Sequence, residues 1–581
     1  MAVDLGTRTT TTTAPLGFPS GEPIIAVEEA RRGRRRESPV LAQRGMIAAA
    51  HPLVAASGLR VLREGGNAVD AAIAAAFTAT VVLPAMCGLG GDLFAVVHRP
   101  AKAGEAGGGE TVAVHGSGIA PRGASLAFMR EHGERDGTIM PQQGPLSPAV
   151  PGFVDGAFAL LDRFGSRPAP DLAADAIAYA ADGVPLSPRV AFWIAESQEL
   201  LARNPAAAAV FLPGGVAPAA GSILRQSDVA RTLMEVAAGG PDLFYRGELA
   251  ARIGRDLAEV GGALAAGDFA DQATDISAPI RTTYRDHTVY QTGLPTQGFV
   301  VLEALNIVAA SGLDPAALRA TDAEGVHTLV EAVKLAFADR LAYAGDPRTV
   351  DDPLATLLSP EWAADRAARI DRDRALDETA PGELRPGDTT SLSVIDGDGL
   401  MVSLIFSLSA GFGSGVIAGD TGVLLNNRAG HCFSLVEGHP NLYAPGKKPM
   451  HTLNCYLVAD PSGTPVLVGN TPGGDAQPQW NLQTLSGLID AGLDAQAAVE
   501  QPRWTLWPGT YPAEVGNPYE LSVEDRLGDA AIAALERRGH RVSRVGAWGA
   551  GGSVQVIARD PETGTLCAGS DPRSEGLAIG F

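Results

Sequence analysis

Cysteine is scarce in this chain of 581 residues: there are four, Cys87, Cys432, Cys455 and Cys567. They are widely spaced and form neither a CxxC nor a Cys/His pattern, so they read as reduced structural thiols. No disulfide framework, metal site or cofactor is expected. Positive charge is also short, with 45 Lys and Arg against 66 Asp and Glu and a net charge of −21. That balance argues against binding nucleic acid or an anionic membrane through bulk electrostatics. Long apolar runs are missing too. No stretch of about 18–20 apolar residues is free of breaks, so no membrane-spanning segment is expected. Met1-Ala2-Val3-Asp4 and the threonine run at 9–13 lack the charged start and apolar stretch of a secretory signal, which makes a cytoplasmic location the expectation. The one basic cluster, Arg31-Arg32-Gly33-Arg34-Arg35-Arg36, sits among Glu28, Glu29 and Glu37 and reads as part of a solvated leader over 1–44.

What remains suits a large folded unit. With 45% hydrophobic and 19% charged residues the chain can bury a sizeable core. It exceeds what one core usually supports, yet no low-complexity linker divides it. Helical and strand patterns alternate. Residues 51–64 carry apolar side chains at helical spacing and stop at Gly65-Gly66, and Asn67 then caps an Ala-rich helix running to Phe77. Short strands at 96–97 and 112–114 flank a Gly-rich loop at 104–109, residues from about 155 to 275 are mostly helical, and 327–342 forms a further helix. The charged stretch 371–388 has no periodicity and reads as an exposed loop. Beyond it strands dominate, at 392–395, 401–406, 422–425, 456–458 and 466–468. The alternation gives an α/β (α+β) fold of stacked sheets covered by helices.

The most telling stretch is Gly387-Asp388-Thr389-Thr390-Ser391, entering a strand and followed by Phe412-Gly413-Ser414-Gly415 and Leu424-Leu425-Asn426-Asn427. Asp-Thr-Thr alone is an ordinary turn before a strand. Cleavage before Thr389, however, would give it a free α-amine, with an ordinary pKa of about 7.7–8.0, beside its own hydroxyl. That pairing is the threonine/N-terminal-amine form of nucleophile activation. Far upstream, Gly45-Met46-Ile47-Ala48, Gly65-Gly66-Asn67-Ala68-Val69-Asp70 and Cys87-Gly88-Leu89-Gly90-Gly91-Asp92 follow in order. Together these motifs resemble the γ-glutamyltransferase family of N-terminal-nucleophile hydrolases, over about residues 45 to 581.

That resemblance implies a four-layer αββα sandwich, autocatalytic cleavage between Asp388 and Thr389, a large subunit 45–388 and a small subunit 389–581. Small-molecule substrate is the implied partner, and a homo-oligomer of the heterodimers is compatible with it. The resemblance makes Thr389 the nucleophile and Ser407 its supporting hydroxyl. Thr471-Pro472-Gly473-Gly474-Asp475 becomes the oxyanion loop, where Gly473 and Gly474 let main-chain amides approach a substrate.

At the substrate-binding positions the chain departs from glutathione-cleaving members. Ser117 stands where an arginine would hold the glutamate carboxylate, and Ser409 replaces an asparagine. Arg428 and His431 occupy the region of an amine-binding acid, and His451-Thr452 replaces paired serines. These changes favour anionic over cationic groups. The expected substrate therefore carries a small oxalyl- or amide-type acyl group with a carboxylate or keto acid. The pattern is similar to oxamate amidohydrolase-like and cephalosporin-acylase-like branches, and to branches that hydrolyse a C–C bond in natural-product (antibiotic) pathways. A γ-glutamyltransferase with a rearranged pocket and a non-catalytic binding relic are the alternatives. The leaving-group side is expected in loops such as Leu294-Pro295-Thr296-Gln297-Gly298.

Overall fold

The strand Met401–Ser409 shows how the sequence builds its layers. Every residue of it is buried, yet the two parities part company. Val402, Leu404, Phe406 and Leu408 join one helix-covered core, while Met401 and Ile405 join a second core between two sheets. Side chains alternate across a strand, so a strand buried on both faces reads as a continuous apolar run. The neighbouring strand Asp92–Arg99 behaves alike, with Leu93, Ala95 and Val97 on the helix side and Phe94 and Val96 between the sheets.

The computed structural model describes residues 38–101, 109–376 and 388–581. The arginine cluster at 31–36, most of the Gly-rich loop and residues 377–387 before the expected cleavage bond lie outside the described residues. Two seven-stranded sheets face one another, and all strand pairs within them are antiparallel. In the first the order is Leu577–Gly580, Gly45–Ala49, Asp388–Asp396, Met401–Ser409, Asp92–Arg99, Glu110–Gly116, Asp275–Ser277. The helices Pro52–Arg63, Ala68–Val82, Phe153–Phe164 and Ala169–Asp182 cover its outer face. The second sheet, centred on Pro465–Asn470 and Cys455–Ala459, is covered by Gly298–Ala310, Ala323–Tyr343 and Ala476–Ile489. This is the four-layer αββα arrangement. Polar stitches cross the middle: Asn470 Nδ2 donates to Leu392 O at 2.8 Å and to Ser403 Oγ at 2.9 Å.

Local signals explain where the nucleophile strand sits. Asn67 caps Ala68–Val82 by accepting from Val69 N–H at 2.9 Å, and Asp70 returns the bond to Asn67 N–H at 2.9 Å. The same helix start donates Ala68 N–H to Asp396 at 2.9 Å, fixing the far end of the Thr389 strand. The two distant glycine and asparagine motifs are one contact. A Cβ on Gly90 would lie 2.2 Å from Leu424 O, and one on Gly91 would lie 2.5 Å from Ser407 O. Only glycine permits that approach. Asn426 then donates to Gly90 O at 2.8 Å and to Ala149 O at 3.0 Å.

Three expectations change. The Ala-rich helix continues past Phe77 to Val82, and it is buried on every side, with Thr78 and Thr80 bonded inside the fold. Residues 422–425 do not form a strand: Leu424 and Leu425 make isolated bridges to Ile417 and Gly90, which are loop residues offering no ladder to extend. Val40–Ala42, expected within a leader over 1–44, instead pairs with Leu566–Ser570 as an edge strand. All four cysteines are free thiols. Among the described residues no helix is long and apolar enough to cross a membrane.

Candidate active site

Thr389 lies at an irregularity in the ladder. Asp388 pairs with Ser409 but Thr390 pairs with Phe406, so the register slips by one residue around Thr389. Ser409, with φ of +88°, absorbs the slip on the partner strand. The consequence is a contact: Thr389 Oγ1 donates to Ser407 Oγ at 3.1 Å, and Ser409 N–H donates to the same oxygen at 2.8 Å. Both hydroxyls are buried.

Beside Thr389 opens a cavity of about 420 Å³, lined also by Pro472, Gly473, Trp480 and Trp548. The glycine loop is held in place from behind. Gln297 Nε2 donates to Gly474 O at 2.9 Å and to Thr452 O at 2.6 Å. Asp475 is buried and accepts from Arg340 at 2.6 Å, from Thr510 Oγ1 at 3.0 Å and from Tyr511 N–H at 3.2 Å. Removing one partner from such a buried ion pair costs about 3–5 kcal/mol, so the loop is firmly anchored. Leu294-Pro295-Thr296-Gln297-Gly298, expected on the leaving-group side, instead supports this loop and pairs with His451 through Thr296, and it does not line the cavity.

The remaining sequence-chosen residues form two groups behind the cavity wall, and none of Ser117, Ser409, Arg428, His431, His451 and Thr452 lines the cavity itself. One group is a relay: Ser409 Oγ lies 3.1 Å from His431 Nδ1, His431 stacks on Tyr511 with centroids 3.9 Å apart, and Tyr511 Oη donates to Thr452 Oγ1 at 3.2 Å. The other centres on Asp92, which pairs with Ser407 across the ladder. Here the expectation for Arg428 is corrected. It is not an open cation; it is fully buried, and its Nε donates to Asp92 Oδ2 at 3.2 Å, because a charge in a dry interior requires a counter-charge.

Asp92 is pushed up to about 6 by burial, against the pull of Arg428 and Lys448. His451, 3.8 Å from Asp92, is held well below the ordinary histidine value by burial and then by Arg428 and Lys448. His115 is lowered to about 4, chiefly by burial. Several polar atoms in this cluster lack a hydrogen-bond partner: Asp92 Oδ1, His115 Nε2, Ser117 Oγ, Arg428 Nη2 and both His451 nitrogens. Buried polar groups are normally paired, so such a concentration marks a place for water or a polar ligand.

Sequence reasoning passed over Asp92, although it ends the quoted Gly-Gly-Asp motif, and Tyr511 and the cavity tryptophans, which share no local pattern. One group among the described residues has metal-ligand geometry: His327, Glu331 and His540. Its atoms are already committed. His327 Nδ1 lies 2.8 Å from His540 Nε2, His327 Nε2 donates to Asp371 O at 2.8 Å, and Glu331 meets Lys334 Nζ at 2.8 Å and Leu376 N–H at 2.9 Å. An ammonium on the carboxylate competes with a cation, and the cluster reads as a polar clamp on residues 371–376.

Comparison with known proteins agrees with this architecture. The gamma-glutamyltranspeptidase family model matches residues 54–581. The chain is 37% identical over 548 residues to an oxamate amidohydrolase proenzyme of Klebsiella pneumoniae, covering 92% of this chain and 98% of the relative. It is 36% identical over 547 residues to a glutathione hydrolase-like proenzyme of Bacillus subtilis, covering 93% and 99%. Among solved structures, cephalosporin acylase from Bacillus halodurans superposes with a TM-score of 0.86 at 34% identity, covering 94% of this chain and 98% of that one. A family match over most of the length, joined to near full-length relatives that are hydrolases and acylases, shows that the chain belongs to the gamma-glutamyltranspeptidase family and is an N-terminal-nucleophile hydrolase.

Proposed function

We propose that the chain cleaves itself between Asp388 and Thr389, into a larger piece 1–388 that carries the large subunit and a small subunit 389–581, and then hydrolyses a small acyl compound through Thr389. One observation carries this: Thr389 Oγ1 is hydrogen-bonded to Ser407 Oγ at 3.1 Å and faces the same cavity as Gly473. In the cut form the Thr389 α-amine takes the hydroxyl proton, the oxygen attacks the acyl carbon, and the amides of Gly473 and Gly474 meet the developing oxyanion. The amine returns its proton to the leaving group, and water resolves the ester.

The acyl group we favour is oxalyl-like, with its carboxylate or keto oxygen toward Arg428, His451, His115 and Ser117. Unpartnered polar atoms there support this, with Arg428 Nη2 and Ser117 Oγ able to donate. Asp92 is already opposed by Arg428, which disfavours an α-ammonium and hence a γ-glutamyl donor. The similarity to oxamate amidohydrolase points the same way and the similarity to a glutathione hydrolase-like protein keeps the γ-glutamyl reading as the second. C–C bond hydrolysis within a secondary-metabolite pathway fits the same acyl chemistry.

The test has two parts. Thr389→Ala should run as one uncut polypeptide on a denaturing gel where the parent gives two; normal processing of the variant overturns the assignment. Mature enzyme mixed with γ-glutamyl, oxalyl, glutaryl and succinyl compounds should gain the oxalyl mass on its small subunit. A γ-glutamyl adduct would establish the second reading.

A further inference from the structure

The chain has six tryptophans, and four of them, Trp193, Trp480, Trp507 and Trp548, line the one cavity beside Thr389, with Phe192 next to Trp193. They come from widely separated segments, so no local sequence bias gathers them. The walls are also held still. Trp480 Nε1 donates to Thr505 Oγ1 at 2.9 Å, and the Arg503 guanidinium lies 5.3 Å from the Trp480 ring centre. Arg526 and Arg573 lie over the Trp548 ring at 3.3 and 5.1 Å. Arg573 is itself fixed by Glu524, at 2.5 and 2.7 Å, and by Asp571 at 3.1 Å. Trp480 and Trp548 are thus held in place, with arginine covering part of the Trp548 ring, and the ring surface left toward the cavity favours offset or edge-on contact with another ring.

The cavity adjoins the nucleophile but does not include the Asp92 cluster. In the sheet, the Thr389 strand stands between Gly45–Ala49 and Met401–Ser409. Ala50, just beyond the first neighbour, lines the cavity, and so does Met86, whose carbonyl accepts from Leu408 N–H on the second, whereas Ser407, Asp92 and Ser117 lie outside it. If the acyl group sits toward Asp92, the aromatic cavity receives what departs. Its volume of about 420 Å³ is in the range of pockets for drug-sized ligands, roughly 300–1,000 Å³. Ammonia, the leaving group of a primary amide, is close in size to water, whose share of liquid is about 30 Å³, and would leave such a cavity unused.

We infer that the substrate is a secondary amide whose nitrogen bears a flat aromatic or heteroaromatic ring, and that this ring packs among Phe192, Trp193, Trp507 and Trp548. This rests on the proposed function for the acyl half and names the other half. Thr389 Oγ1 bonds to the carbonyl carbon, the C–N bond breaks, and the ring-bearing nitrogen leaves with the proton held by the Thr389 amine. Water then splits the ester to release the acid, so one amide and one water give one acid and one aryl amine.

Two measurements separate this inference from the acyl assignment. Calorimetric titration of mature enzyme with 1-aminonaphthalene, butylamine and glucosamine reads the cavity without any acyl group. The aminonaphthalene should bind at least 10-fold more tightly than either other amine, and Trp193→Ala and Trp548→Ala should each remove most of that advantage while still giving two bands on a gel. Kinetics then compare N-(1-naphthyl)oxamate with oxamate, and kcat/KM should be at least 10-fold higher for the naphthyl compound. Ring selectivity in the titration with no turnover of either oxamate would sustain the cavity inference and sink the oxalyl reading. Equal binding of all three amines, or tryptophan variants that keep the preference, overturns the inference even if oxamate is a good substrate. Should either alanine variant fail to fold, Trp193→Leu and Trp548→Leu keep apolar bulk without the ring and carry the same expectation.

Discussion

A threonine hydroxyl reacts well only when its oxygen is steered and its proton has somewhere to go, and Ser407 supplies the steering. It accepts from Thr389 Oγ1 at 3.1 Å while being fixed by Ser409 N–H at 2.8 Å. Losing such a buried hydrogen bond costs about 1–3 kcal/mol. Ser407→Ala should therefore lower kcat roughly 10- to 100-fold and slow processing, with KM nearly unchanged, as steady-state kinetics and a timed gel would show. A proportionate rise in KM would instead place Ser407 in substrate binding. Asp92, its neighbour across the ladder, gives a pH signature. Its carboxyl is pushed up to about 6 by burial. Above that pH the ionised group opposes Arg428; below it the group is neutral and the guanidinium acts unopposed. The KM for an anionic donor such as oxamate should fall as pH drops through about 6. In Asp92→Asn it should already be low at pH 7–8 and show no break, and a variant with the parent's profile would remove Asp92 from donor recognition.

At the scale of elements, the glycine loop between the strand Pro465–Asn470 and the helix Ala476–Ile489 has one conformation available. Gly473 adopts φ of +137°, and a Cβ there would lie 2.3 Å from the Trp480 ring. Gly473→Ala must shift the loop or the ring, and the amide loses its aim at the nucleophile. Losing one oxyanion donor lowers kcat about 10²–10³-fold, and that is the expected loss, with secondary structure by circular dichroism unchanged. Near-normal kcat would show that this amide is not an oxyanion donor. Such loops were legible as motifs because their chemistry is local. Strand 401–406 was legible because both its faces are apolar, and it ran on to Ser409 in the structure. The apolar 422–425 stretch misled for the same reason: hydrophobicity marks burial, while a strand also needs a partner, and Gly90 and Ile417 lie in loops.

For the whole molecule, alternation of helix and strand was enough to anticipate stacked sheets under helices, but not the site's two parts. Arg428 was readable as a cation and not as a paired one, since Asp92 is 336 residues away in sequence. The four cavity tryptophans meet only through the fold. The histidines show the same dependence on context, and their titration gives a property of the entire chain. His98 and His115 are lowered to about 4 and His540 to about 3, in each case chiefly by burial. They are neutral when folded, whereas in the unfolded chain histidine takes up a proton near pH 6.5. Between about pH 4 and 6.5 the unfolded state binds more protons, so stability rises with pH through that window; the contribution is complete above about 6.5 and is lost as pH falls. For buried His115 alone the loss at pH 5 is on the order of 2 kcal/mol. Asp92 acts in the opposite sense, because its raised carboxyl favours the folded state at low pH and that contribution fades as pH rises through about 6. Asp396 and Glu303, also raised chiefly by burial, act in the same sense as Asp92. They face seven histidines lowered chiefly by burial (His51, His98, His115, His327, His439, His451 and His540), and the larger number leaves a net loss in acid. The uncut Thr389→Ala chain keeps unfolding unimolecular, and its urea midpoint should fall from pH 7 to pH 5, with a shallower fall in His115→Gln. A midpoint that holds steady or rises at pH 5 would mean that these histidines are not buried in their neutral form.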